Sequence, residues 1–136
     1  MEFKTKIVPR YAETDKMGII HHSVYPIWYE VGRTELCDKI NMPYHIIEEL
    51  GVYLAVININ VDYKSPALYG DELTLITRIK TCGKVKVEFE YNLYNQENKL
   101  INQGTSTHAW LNKNLKPINI AKTNEEVYEL LLKNMK

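Results

Sequence analysis

The chain has only two cysteines and two phenylalanines, and no apolar run approaches the ~20 residues that span a bilayer. Cys37 and Cys82 form neither a CxxC pair nor a dense framework, so they read as reduced thiols in a cytoplasmic protein. The N-terminal stretch MEFKTKIVPRYAETD lacks the apolar core of a signal peptide, and no membrane insertion is expected. Neither sign of charge is in excess: lysine plus arginine and aspartate plus glutamate number 17 each. That balance argues against a nucleic-acid partner, and any phosphate ligand must be met by a local patch. No two glycines lie close enough for a GxGxxG or a P-loop, and HExxH and GxSxG are absent.

The 136 residues, 45% of them hydrophobic, fit a single domain over 1–136. Ten tyrosines suit surfaces with one wet end, subunit interfaces included, and suit strands equally well. FKTKIVP alternates as a first strand, and AETDKMG follows as a turn whose Gly18 tolerates unusual backbone angles. From Ser23, Val24, Ile27, Trp28, Val31, Leu36 and Ile40 fall at helical spacing, with Pro26 in the first turn. Gly32 inside this helix predicts a close approach to a sheet. NMP breaks the helix, and YHIIEELG gives a short second one stopped by Gly51.

The period then changes to two. Ile57, Ile59, Val61 and Tyr63 share one face, SPALYGDE is a connection, and LTLITRIKT is a strand. Val85, Val87, Phe89, Tyr91 and Leu93 alternate with Lys84, Lys86, Glu88, Glu90 and Asn92. LINQGTSTHAWL is a last long strand, and Thr123 with Glu126 predicts a capping box opening a C-terminal helix. One long helix against about four later antiparallel strands predicts an α+β fold in which a curved sheet wraps the helix from Val24 to Ile40.

ETDKMGIIHHSVYPIWYEVGR sets a carboxylate, Asp15, seven residues ahead of a helix N-terminus. First-turn N–H groups can hold a developing oxyanion, and a carboxylate facing them can activate water or attack a carbonyl. With no acid to protonate a leaving group, the fitting substrate is a thioester, whose thiol leaves readily as thiolate. The alternative is a solvated turn ahead of a helix cap. Adjacent histidines rarely converge on one ion, so no metal is expected at Asp15, His21 and His22. Glu13 has no assigned chemistry, and its replacement is expected to matter far less than that of Asp15.

The segment RYAETDKMGIIHHSVYPIWYEVGR resembles the signature of hotdog-fold acyl-CoA thioesterases of the 4-hydroxybenzoyl-CoA thioesterase-like family. The matching positions are Tyr11, Glu13, Thr14, Asp15, Gly18, His22, Tyr25, Glu30 and Arg33. VDYKSPALYGDELTL resembles the family's later connection through Pro66, Gly70 and Asp71. The resemblance implies Asp15 as the catalytic carboxylate, nucleophile or general base, with the His22 backbone N–H on the oxyanion. It makes the side chains of His22 and Tyr11 positioning groups. It also implies that subunits pair edge to edge, as a homodimer or homotetramer. Where the family often has Ser-Arg or Ser-Lys, this chain has CGKVK. Lys84 and Lys86 are the candidate contacts for coenzyme A phosphates, or else part of a solvated sheet face. Coenzyme A enters only as part of the acyl-CoA substrate, and no separate cofactor is expected. An acyl-carrier-protein thioesterase and a non-catalytic acyl-CoA-binding hotdog protein are the alternatives.

Overall fold

In the computed structural model, which describes residues 1–135, five antiparallel strands form one sheet. They are β1 (Phe3–Ile7), β2 (Tyr53–Tyr63), β3 (Leu73–Cys82), β4 (Lys86–Tyr94) and β5 (Leu100–Leu111), in the spatial order β1-β3-β4-β5-β2. Strict alternation builds the inner face: β3 buries Leu73, Leu75, Thr77 and Ile79, and β4 buries Val87, Phe89, Tyr91 and Leu93. Each such apolar side chain contributes about 1.5–3 kcal/mol on burial. Val85 does not join them. The β3–β4 turn, closed by Gly83 N–H donating to the Lys86 carbonyl, leaves it exposed ahead of the strand.

Against this face lies α1 (Tyr25–Lys39), led in by a 3-10 turn at His22–Val24 with Pro26 tolerated in the first helical turn. Val24, Trp28, Leu36 and Ile40 are buried as their spacing predicts, but Ile27 and Val31 are exposed. The inward face is completed instead by Tyr25, Tyr29, Gly32, Arg33 and Cys37. Polar members survive there because the sheet supplies partners. The Tyr29 hydroxyl donates to Asn102 Oδ1, and Arg33 Nη1 donates to the Tyr91 hydroxyl at 3.0 Å. The Tyr29 and Tyr91 rings stack at 4.2 Å, 2° from parallel.

Gly32 makes the close approach its position predicts. A Cβ there would stand 2.7 Å from Leu75 Cδ2 and closer still to Thr77 Oγ1. Gly32→Ala gains helix propensity but overpacks this contact, so a net loss of about 1–2 kcal/mol is expected. Urea unfolding monitored by circular dichroism measures it; an unchanged midpoint would show that α1 can lift off the sheet.

The short helix α2 (Tyr44–Glu49) ends as expected, with Gly51 just beyond it at φ 81°. The expected capping box does not form. Thr123 closes a one-turn helix, α3 (Ile120–Thr123), and donates to the Asn119 carbonyl, while α4 (Glu125–Asn134) starts one residue later without a side-chain cap. No helix among the described residues is long and apolar enough to cross a membrane.

The two sheet edges differ. β1 is five residues long and carries exposed Lys4 and Lys6, ordinary protection for an unpaired edge. β2 runs for eleven residues with Asp62 as its sole charge, and its register on β5 shifts between Val56 and Asn58. None of its residues is fully buried; Val56 and Ile57 are about half exposed, at 50% and 49%.

Candidate active site

Asp15 sits in a tight turn between Thr14 and Ile20, which bridge antiparallel. Its backbone N–H donates to the Ile19 carbonyl, its carbonyl accepts from Gly18 N–H, and Gly18 adopts φ 84° to close the loop. One carboxylate oxygen is committed: Oδ1 accepts from Met17 N–H at 2.8 Å and Ile19 N–H at 3.4 Å. Oδ2 has no partner among the described residues. The side chain is thus held at one oxygen and available at the other.

The turn is anchored from both sides. Glu13 is buried, accepting from Arg10 N–H at 2.7 Å and from Trp28 Nε1 at 3.2 Å, so it ties the loop to α1. Glu13 is therefore more than a neighbouring charge: its carboxylate braces the turn against α1. On the other side, Ile20 N–H donates to the Ala67 carbonyl and Ile19 bridges Leu68. This contact brings the SPALYGDE connection onto the Asp15 turn. Asp71 holds that connection, accepting from Leu68 N–H at 2.8 Å beside Gly70 at φ 95°.

Asp15 opens onto a cleft of about 330 Å³ whose walls include Ile20, His22, Tyr25, Tyr63 and Pro66. His22 opens the 3-10 turn that leads into α1, so its N–H has no acceptor within that turn. Its ring is exposed and lies 4.2 Å from that of His21. His21 caps the turn, Nδ1 accepting from Ser23 N–H at 3.2 Å. Asp15 and His22 thus meet in one cleft. Tyr11 does not line it: 76% exposed, it stands edge-on to Tyr69 with ring centres 5.7 Å apart.

Two tyrosines of the cleft carry roles that the sequence did not suggest. The Tyr63 hydroxyl donates to the His22 carbonyl at 2.7 Å and fixes the turn to the end of β2. Tyr25, buried and edge-on to both Trp28 and Tyr63, accepts from Ala67 N–H at 3.3 Å. Burial raises its pKa, so it stays a neutral hydroxyl. The period-two pattern of β2 had pointed only to Tyr63 as one more residue on an apolar face.

Lys84 and Lys86 are exposed at the other end of the sheet. Lys86 pairs with Ala109, and Ala109 pairs with Ala55, eight positions along β2 from Tyr63. Within one chain the two lysines and Asp15 are not brought together.

Comparison with known proteins agrees with this architecture. The family model "Thioesterase superfamily" matches residues 17–102, beginning just past Asp15. The chain is 39% identical over 120 residues to YneP of Bacillus subtilis (strain 168), a provisionally named acyl-CoA thioesterase, covering 88% of this chain and 87% of that one. It is 28% identical over 101 residues to the acyl-CoA thioester hydrolase YbgC of Escherichia coli O157:H7, covering 74% and 75%. Among solved structures, a DHNA-CoA thioesterase from Staphylococcus aureus superposes with TM-score 0.93 at 28% identity, covering 97% of this chain and 89% of that one. The wrapped helix, the Asp15 turn and these matches lead to one conclusion: the chain belongs to the thioesterase superfamily, a thioester hydrolase on the hotdog fold.

Proposed function

We propose that the chain hydrolyses acyl-CoA thioesters, with Asp15 as nucleophile or general base. The observation that carries this reading is the free Oδ2 of Asp15 in a cleft it shares with the leading turn of α1. Oδ1 is pinned by two backbone N–H groups, which orients Oδ2 without neutralising it. Oδ2 either adds to the thioester carbonyl carbon or takes a proton from the water that does. The carbonyl oxygen, now an oxyanion, accepts from the His22 N–H at the start of the turn. The C–S bond then breaks, and the thiol leaves as thiolate because its pKa of about 8–9 needs no proton donor. In the nucleophilic variant, water cleaves the resulting anhydride and restores the carboxylate. Tyr63 and Tyr25 hold the turn and the cleft wall in place. Release of free thiol across short, medium, long and aromatic acyl-CoAs tests the activity. Turnover of at least one class is expected, and none with the folded protein would overturn it.

The protein acts as a homodimer paired through β2, on this reading. An eleven-residue edge with one charge and half-exposed apolar residues is a liability unless covered. Exposed Ile27 and Val31 of α1 add to the apolar surface left uncovered. Antiparallel pairing of two identical strands sets the Tyr63 end of one against the Tyr53 end of the other. It would carry Lys84 and Lys86 of one copy toward the other copy's Asp15, where they could meet coenzyme A phosphates. Light scattering at micromolar concentration is expected to give at least the dimer mass, and Ile59→Pro in the middle of the edge is expected to shift it to monomer. A monomeric wild type would refute the pairing.

A further inference from the structure

Two loops meet beside the Asp15 cleft, residues 10–17 and residues 64–71. Ile19, just past the first, bridges Leu68 of the second, and the Tyr11 ring stands edge-on to that of Tyr69. Met17 and Lys64 are part of the cleft wall itself. The large apolar side chains of these loops face outward: Tyr11 is 76% exposed, Met17 78%, Leu68 46% and Tyr69 62%. Single exposed apolar residues are ordinary, but four gathered at the rim of one cleft mark a contact surface.

The charges of the same two loops are sorted by sign. All three cations, Arg10, Lys16 and Lys64, are exposed, whereas Glu13 is buried and Asp15 and Asp71 are half-buried. Each carboxylate is occupied by inward bonds. Glu13 accepts from Arg10 N–H and Trp28 Nε1, Asp15 from Met17 N–H, and Asp71 from Leu68 N–H and Gln96 Nε2. Arg10 also pairs with Glu13 at 3.4 Å, but Lys16 and Lys64 make no ion pair among the described residues. Glu72, the next acid along the chain, faces a different hollow with Lys4 and Lys6. Solvent therefore meets two tyrosines, a methionine and a leucine set among positive charges.

A second copy of the chain does not fit this face, because a two-fold contact would set its cations against themselves. A folded protein partner needs about 800 Å² and roughly 20–30 residues on each side, more than these loop tips supply. A lipid headgroup layer asks for no such complementary shape. Tyrosine settles there with its ring in the apolar boundary and its hydroxyl wet, and neighbouring cations meet anionic headgroups. We propose that this face docks the protein peripherally on an anionic lipid surface, with the rim of the Asp15 cleft against the bilayer. On the thioesterase reading, an acyl thioester whose chain is dissolved in the membrane then reaches Asp15 without crossing water. The docking itself does not rest on that reading.

Cosedimentation of the full chain with extruded vesicles tests the proposal and needs no substrate. At about 0.1 M salt, vesicles of phosphatidylcholine with about a quarter phosphatidylglycerol are expected to bind at least tenfold more tightly than phosphatidylcholine alone. Lys16→Glu combined with Lys64→Glu is expected to abolish that preference. Lys122→Glu combined with Lys133→Glu makes the same change of net charge on α3 and α4 and is expected to keep it. Tyr11→Ser combined with Tyr69→Ser is expected to weaken binding to the anionic vesicles at least tenfold, with circular dichroism unchanged because both rings are exposed. No binding, equal binding to both vesicles, or equal losses in the two lysine pairs overturns the proposal. So does a lysine pair at residues 16 and 64 that matters only for a thioester carried on an acidic carrier protein, which would give the face to a protein instead. Thiol release is assayed separately: its absence ends the thioesterase reading and leaves the vesicle result to decide the docking.

Discussion

Asp15→Asn is expected to lower kcat by about 10² or more while leaving KM within a few-fold of wild type. The substitution keeps size and the oxygen that accepts from Met17 and Ile19, so the turn has no reason to open. What it removes is the charge and basicity of Oδ2. The cleft walls and the first-turn N–H of His22 are untouched, and substrate binding should survive with them. Steady-state thiol release on a protein with wild-type circular dichroism measures both constants. A fall in KM and kcat together would point to relieved strain rather than lost chemistry. Glu13→Gln is not a clean control for local charge, because Glu13 holds Arg10 N–H and Trp28 Nε1. Asp62, exposed on β2 and outside the cleft lining, is the better one; Asp62→Asn should leave kcat within a factor of two.

The second large effect is on stability. His108 has a folded pKa of about 3, held below its unfolded value near 6.5 by burial first and the Arg33 charge second. Below pH 6.5 the unfolded chain therefore takes up a proton that the folded chain refuses. The stability this residue contributes as a neutral ring is complete above pH 6.5 and is lost as pH falls toward 3. The slope approaches 1.4 kcal/mol per pH unit. Between pH 7 and pH 4.5 the wild type is expected to lose about 2–3 kcal/mol more than His108→Phe, whose ring packs against Phe89 without titrating. Urea midpoints at the two pH values measure this; parallel losses in both proteins would show that His108 is already solvated or protonated in the native state.

The sheet was legible because β3 and β4 alternate inward and outward residues, and the pleat converts that pattern directly into an inner face. The helix was legible in position but not in facing. Hydropathy assigned Ile27 and Val31 to the core, whereas the buried stripe runs through Tyr29, Gly32 and Arg33. Those polar residues are inside because partners come from β4 and β5, more than fifty positions away, and no local pattern encodes such a partner. The same limit explains the site. Asp15, Gly18 and His22 lie in one short segment, and their meeting could be read from it. Tyr63 and Ala67 reach the segment only through the fold. Thr123 shows the converse failure, a capping pattern present in sequence but overridden by the one-turn helix before it.

The central claim is that the thioester carbonyl sits between Asp15 and the leading turn of α1. A crystal structure of the Asp15→Asn variant with an acyl-CoA tests it directly, because slow turnover allows the thioester to be trapped. The account predicts the carbonyl oxygen within hydrogen-bond distance of the His22 N–H, with the residue-15 side chain facing the carbonyl carbon. A thioester bound with its carbonyl outside this cleft, or turned away from residue 15, would contradict it.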